Sequence, residues 1–488
     1  MTMITVQNQL ITYPAPAEAA GNSDFKVRVR VESGEWQQLF CYNVKVDMHN
    51  VRNASMVYFD CTGPVEVEVS CAEAVEEAII RPLSSGLKCA VSGGRVTFTL
   101  DRPRKLSLEI NGDRFHNLHL FANPLEENAP DPADPGVVVI QPGIHRTEDL
   151  LRLLTTAKLS AEGTSFIPDT LYFTPGMHHL EEVLLQIPSG KTVYIAGGAV
   201  VAGSMVCERV QDVTIRGRGL LYLSDFGRFS AFRGVRIVFS QNISIEGIIT
   251  VDPPHYTVYI GQSEHITIRN FKTFSTLGWL DGIDMMSSSN IEIDDVFLRT
   301  SDDCIAIYGH RWDFYGDARN VTVRNAILWA DVAHPMMIGV HGDYVSSVGN
   351  VIENIVFENI DVLEHHEPQP DYWGCMAINA GDNNTVRNIR YENIRVEAFE
   401  LGELFNIRVV QNSKYNPEPG RRVEQIHFKN ISFDGNCPNP SRIEGFDEMR
   451  VVDGITIENV RVNGKPILVP ESEHIQIGSF TKGVIFKK

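Results

Sequence analysis

Asn242-Ile243-Ser244-Ile245, His265-Ile266-Thr267-Ile268, Asn290-Ile291-Glu292-Ile293 and Asn320-Val321-Thr322-Val323 are four copies of one pattern, a polar residue followed by an apolar-x-apolar run. Further copies begin at Asp212, Asn354, Asn388, Gln425 and Gly454, so successive copies stand 30, 23, 25, 30, 34, 34, 37 and 29 residues apart. Such unequal steps exclude a rigid helical repeat. They suit a β-solenoid, in which every coil keeps its strands and varies its loops. Apolar side chains at every second position give each strand one inward face. Asparagine fits the coil turns because it tolerates left-handed backbone and its amide bonds nearby groups; stacked copies can also form ladders.

Working outward from the repeats, residues 146–159 hold Leu150, Leu151, Leu153 and Leu154 and are the best helix candidate. A helix there would cover the open N-terminal end of the stack, where strand edges would otherwise be exposed. Residues 1–123 read differently. Phe25-Lys-Val-Arg-Val-Arg-Val31, Val65-Glu-Val-Glu-Val69 and Arg95-Val-Thr-Phe-Thr-Leu100 alternate cleanly between turns, which predicts an antiparallel β-sandwich. A Pro-, Asp- and Asn-rich stretch over 123–136 marks the boundary. The expected organisation is all-β: a sandwich over 1–123, a linker and capping segment over 124–164, and a right-handed parallel β-helix over 165–488.

The chain has 488 residues and a net charge of -19, enough for an elongated domain plus a smaller one. Its anionic surface, without a Lys/Arg run, argues against nucleic acid and acidic membranes as partners. No apolar stretch reaches the roughly 20 residues of a membrane span. The first ten residues show no basic segment followed by an apolar one, so the expectation is a cytoplasmic protein, or a secreted one if the chain is a processed form. Eight cysteines, at 41, 61, 71, 89, 207, 304, 375 and 437, form no Cys-x-x-Cys pair and read as free thiols. No metal centre or cofactor is assigned, and the oligomeric state is left open.

Chemistry concentrates in Leu280-Asp281-Gly282-Ile283-Asp284 and Ser301-Asp302-Asp303-Cys304-Ile305-Ala306-Ile307. Asp281 and Asp302 are 21 residues apart, close to one compact coil, which places them on neighbouring coils about 4.8 Å apart. Asp302 and Asp303 are adjacent, so both reach one cleft only if the chain turns or bulges there. Crowded carboxyls cannot all ionise, which separates a proton donor from a proton acceptor. The plainer alternative is that these acids cap turns. Nearby Trp279, His310, Arg311, Trp312 and Tyr315 suit sugar binding, because aromatic faces stack on pyranose rings while Arg and His donate to hydroxyls.

The two acidic blocks resemble the Asn-Thr-Asp-Gly-Ile-Asp and Asp-Asp-Cys-Ile-Ala-Ile motifs of the polygalacturonase-like glycoside hydrolases, family 28, in the same order and at the same step. Ala333-His334-Pro335-Met336-Met337-Ile338-Gly339 is similar to that family's Gly-His-Gly-x-x-Ile-Gly, with both flanking glycines changed. The likeness covers roughly residues 165–465. An N-terminal sandwich before the solenoid is similar to family 49, the dextranases and isopullulanases; Trp329 and Leu404-Phe405-Asn406-Ile407-Arg408 resemble that group more loosely. The resemblance implies a glycosidase acting on an oligosaccharide or polysaccharide with inversion: Asp302 protonates the glycosidic oxygen, Asp281 and Asp303 activate water, and His334 orients or supports the acid. Asp284 is left as structural support. Trp279, His310, Arg311, Trp312, Trp373 and Arg408 are the candidate substrate-binding residues.

One departure bears on the substrate. Family 28 carries Arg-Ile-Lys after its histidine to hold a uronate carboxylate, whereas the comparable strand here, Gly374-Cys375-Met376-Ala377-Ile378-Asn379, has no cation. A uronate among this many acids needs a paired charge, so a neutral sugar is expected, with a pectic galacturonate substrate as the alternative if Arg311 or Arg408 supplies the clamp. Long loops around 343–350 and 363–374 are expected to wall the cleft and favour exo action. Two other classes stay open: a non-catalytic carbohydrate-binding β-helix, and a uronate lyase or epimerase, which needs a cation or metal against the carboxylate.

Overall fold

A computed structural model of the chain describes residues 8–71, 73–159, 163–228, 233–437 and 439–488. Residues 1–7, part of the stretch read for a leader, lie outside the described residues. From Leu10 to Asn123 the chain forms two sheets. One has Phe25–Val31, Val65–Cys71 and Arg95–Leu100 in antiparallel register. Its inward Val27, Val29, Val67 and Phe98 meet Val57, Phe59, Leu108 and Leu120 of the other sheet. The second sheet departs from the all-antiparallel expectation at one place, where Arg52–Cys61 pairs in parallel with Asp113–Asn123. Between these two strands the chain crosses to the opposite sheet and returns, and that crossover makes parallel pairing possible.

From Val137 onward the strands belong to one 31-stranded, mainly parallel sheet wound as a β-helix, apart from a small antiparallel pair, Lys158–Leu159 with Ser165–Phe166. This sheet starts inside the segment expected to be linker. Val137–Ile140 and Gly143–His145 pair in parallel with Thr170–Phe173 and Gly176–Gln186, because the apolar run directly after Gly136 can enter a ladder as soon as the proline-rich stretch ends. The helix, Thr147–Thr155, buries Leu150 and Leu154 against the end of the helix core.

The repeats align as read. Ile243, Ile266, Ile291, Val321, Ile355, Ile389, Ile426 and Ile455 stack in register as one interior column. Each such buried aliphatic side chain stabilises the fold by about 1.5–3 kcal/mol. The polar residue before each of them is left-handed, with φ between 53° and 60° from Asp212 to Gln425 and 73° at Gly454. That conformation selects Asn and Gly. The amides of Asn320, Asn354 and Asn388 donate to the residue one coil earlier at 2.9, 3.0 and 2.7 Å.

A second face of the sandwich packs on the β-helix, with Val44, Met56, Tyr58 and Phe121 against Leu220, Ile249, Val251, Phe274 and Phe297. At the deep edge of this interface the fully buried Arg299 donates to both oxygens of Asp331 at 3.0 Å. It also donates to Asn117 Oδ1 and contacts His119 Nε2, each at 3.0 Å, and its guanidinium lies 3.9 Å from the Trp329 ring centre. Burial and the guanidinium hold His119 well below the usual imidazole range, so its Nε2 lone pair is free to accept. Arg299→Leu should destabilise the fold by about 3–5 kcal/mol because it strands a buried carboxylate. In chemical denaturation the double variant Arg299→Leu/Asp331→Leu should lose less than the single one.

Candidate active site

The column two residues ahead of the strand that follows each coil's entry loop carries the acids. Val258, Ile283, Ile305, Met336 and Met376 pair in sequence, so Tyr256, Asp281, Asp303, His334 and Gly374 stack above one another. The backbone ties this column together. Thr257 N–H donates to Asp281 O, Gly282 N–H to Asp303 O and Cys304 N–H to His334 O, each at 2.8 Å. A Cβ on Gly282 would lie 2.3 Å from Cys304 O, so the Asp-Gly pair is dictated by close approach of the next coil. The residue over Asp281 is therefore Asp303, one position beyond the expected Asp302. Asp302 reaches the same cleft because the chain bends through residues 301–303, as the sequence required.

Asp281, Asp302 and Asp303 bring one carboxylate oxygen each within 4.8 Å of the others. They lie in a cleft of about 810 Å³ that is also lined by Trp279, Tyr308, Arg311, Glu367, Tyr372 and Lys414. The three acids differ in their partners. Asp302 accepts from the N–H groups of Trp279 and Asp303, both at 3.0 Å. Burial and the neighbouring Asp303 nevertheless push its carboxyl up to about 7. Asp303 accepts from the N–H and Nδ1 of His334 at 3.0 and 2.7 Å and from Tyr308 OH at 3.4 Å.

His334 Nε2 lies 2.6 Å from the Tyr372 carbonyl, so both ring nitrogens face acceptors and both carry protons. Burial alone would lower this imidazole; Asp303, Glu367 and the carbonyl outweigh it and raise it to about 9. The histidine is thus bonded to Asp303 and not to Asp302, the acid it was expected to support, because register places it directly above Asp303. Asp281 and Asp284 are buried, and burial drives both well above the ordinary carboxyl range. Arg311 opposes that rise in each. The three clustered oxygens have the spacing of a divalent-cation site, but here an imidazolium and a guanidinium already supply the positive charge.

Of the residues expected to bind substrate, Trp279 and Arg311 line the cleft. Trp312 is half-exposed beside it, 4.3 Å from the Arg311 guanidinium. His310 instead contacts the Trp312 carbonyl at 2.9 Å and packs on Tyr315 at 4.2 Å. Trp373 and Arg408 fall outside the lining: Arg442 lies over the Trp373 ring at 5.6 Å, and Arg408 donates to Asn406 Oδ1 at 2.9 Å. The 363–374 loop supplies Glu367, Pro368, Gln369 and Tyr372 to one wall, whereas the 343–350 loop contributes none of the lining residues. Arg228, Tyr256, Tyr308, Lys414 and Tyr415 also line the cleft and were not foreseen. Only Tyr256 and Tyr308 left a trace, since each stands at a fixed register offset from the Asp motifs.

Residues 228–477 match the family described as glycosyl hydrolases family 28. A dextranase from Arthrobacter sp. (strain CB-8) is 22% identical over 308 residues, covering 54% of this chain and 44% of the dextranase. A polygalacturonase from Juniperus ashei is 24% identical over 227 residues, covering 45% of this chain and 40% of that protein. The chain thus matches less than half the length of these relatives. Among solved structures, Dex49A from Penicillium minioluteum superposes with a TM-score of 0.60 at 14% identity, covering 98% of this chain and 96% of that one. The family 28 exopolygalacturonase of Yersinia enterocolitica superposes with a TM-score of 0.51 at 12% identity, covering 92% and 95%. At these identities the superpositions establish the shared architecture, a β-helix with an N-terminal sheet domain. By the family match across its β-helix, the chain belongs to family 28 of the glycosyl hydrolases.

Proposed function

We propose that this protein is a glycosidase that hydrolyses O-glycosidic bonds of an oligosaccharide or polysaccharide with inversion. The observation that carries this reading is the division of labour among three neighbouring carboxyls with oxygens within 4.8 Å of one another. Asp302, held near 7 by burial and Asp303, keeps a proton at neutral pH and donates it to the glycosidic oxygen. Asp281 and Asp303 face the same space; Asp303, paired with His334, takes the proton of the attacking water, and Asp281 positions that water. The His334 imidazolium balances the charge on Asp303. Oxygens within 4.8 Å are closer than the roughly 6.5–9.5 Å of an inverting acid–base pair. We assign inversion on the motif resemblance, with Asp303 as the base and Asp281 orienting the water.

A neutral glucan of the dextran type is the favoured substrate. Past the acids the strand face continues as Met337, Ala377 and Asn406 in register, and the cation that follows, Arg442, is already paired with Glu403 and Asp371. The dextranase relative supports the same choice. The second reading, a galacturonan, is favoured by Arg228, Arg311 and Lys414 on the cleft lining. The wall built from the 363–374 loop, with Lys414 and Tyr415 beside it, supports exo action.

Reducing-end release from isomaltohexaose and hexagalacturonate separates the two substrates. Product lengths then separate exo from endo cutting, since exo action yields short products from the first turnover and mid-chain fragments would contradict it. Asp302→Asn should lower release by about 10²–10⁴-fold. A carbohydrate-binding protein without activity would release nothing in either form. Because Asp302 must be protonated, kcat/KM should fall as pH rises through about 7.

Stability carries the same signature. A carboxyl raised from 3.8 to about 7 binds its proton more tightly in the native state, so its contribution is lost as pH rises between those values. Asp302→Asn removes that loss. Its Tm should exceed the wild type by a few degrees above about pH 7, an advantage that shrinks towards pH 4. Equal Tm differences at both ends of the range would contradict the raised carboxyl.

A further inference from the structure

The N-terminal sandwich reaches the catalytic cleft through one hairpin. Tyr42–Val46 and Arg52–Cys61 pair with Val46 opposite Arg52, leaving residues 47–51 as the connection. Two of these, Met48 and His49, lie on the cleft lining beside Trp279 and Glu367. Met48 is half-buried and His49 exposed. Met48 Sδ sits 3.1 Å from the place where a Cβ on Gly278 would be, so Gly278 lets the hairpin close against the Trp279 loop. At its other end the His49 ring centre is 6.0 Å from that of His366. The hairpin therefore runs alongside the acids, spanning from the coil of Asp281 to the coil after His334.

This wall is anchored at its base. Asp47 N–H donates to Asp331 Oδ2 at 3.2 Å, and that oxygen also accepts from Arg299. Asp47 is left-handed, with φ of 64°. Its carboxylate accepts from His49 N–H at 3.0 Å and from Arg52 at 2.8 Å, and the Arg52 guanidinium lies 3.7 Å from the Phe115 ring centre. A five-residue connection with this many fixed points presents its two side chains rigidly, as a specificity element requires.

We propose that Met48 and His49 are substrate-binding residues of the hydrolytic site, and that the sandwich is a structural part of the cleft and not an appended module. This rests on the glycosidase reading above. A thioether covers the apolar face of a sugar ring, and an imidazole exchanges hydrogen bonds with its hydroxyls. Both contacts lie beside the reacting carboxyls and touch none of them, so they act on binding more than on the chemical step.

The test is reducing-end kinetics on isomaltohexaose and hexagalacturonate with Met48→Ala, His49→Ala and the control Asn50→Ala, each with its Tm. The expected result is a KM raised about 5- to 20-fold in the first two, with kcat within about twofold, unaltered KM in the control and unaltered Tm in all three. Wild-type activity with unchanged KM in both variants overturns the wall and leaves the hydrolase reading standing. Lowered Tm together with lowered kcat also overturns it, by showing a merely structural role. If the wild type cleaves neither hexamer, the hydrolase reading fails and this inference fails with it.

Discussion

The Arg299–Asp331 pair is the interaction on which the rest of this molecule depends. Arg299 is the penultimate residue of the strand Phe297–Thr300 that leads into Ser301-Asp302-Asp303, and Asp331 stands three residues before His334. One guanidinium thus fixes the approach of two consecutive coils to the catalytic column. Through Asn117 and His119 it grips the sandwich, and through Asp331 it holds the hairpin that flanks the cleft. Both charges are fully buried. Burying them costs more than an apolar pair would, unless every donor and acceptor is met, and here the guanidinium donates to a carboxylate, an amide and a backbone carbonyl and meets a neutral imidazole. The arrangement stabilises less than it specifies: it admits one docking of the two domains and one register at the site.

Within that frame, few positive charges sort many acids. His334 is committed to Asp303 by register, and Arg311, 5.5 and 5.0 Å from the Tyr256 and Tyr308 ring centres, opposes the rise of Asp281 and Asp284. Asp302 accepts from two backbone N–H groups, and burial beside the Asp303 charge outweighs them and holds its proton.

Much of this was legible in the sequence, for a physical reason. A β-helix repeats its backbone, so Asn242, Asn290, Asn320, Asn354 and Asn388 recur where the chain must turn left-handed, and the apolar residue after each marks the core. Adjacency across coils follows, which is why Asp281, Asp302 and Asp303 could be gathered without coordinates; His334 was added by its likeness to the family's histidine motif. The errors came from quantities a repeat does not encode. Counting 21 residues put Asp302 over Asp281, but the loop length sets the register at 22 and stacks Asp303 there, moving the histidine's partner with it. Arg408 and Trp373 lie on the right coils yet turn to Asn406 and Arg442. The contribution of Met48 and His49 was invisible because it joins parts of the chain more than two hundred residues apart.

The central claim is that Asp302 holds a proton because it is buried beside the charge of Asp303. Difference infrared spectroscopy of wild type against Asp302→Asn through a pH titration isolates that single carboxyl from Asp281 and Asp284. The account predicts a protonated-carboxyl band that vanishes with a midpoint near 7. A midpoint close to the ordinary 3.8 would contradict it.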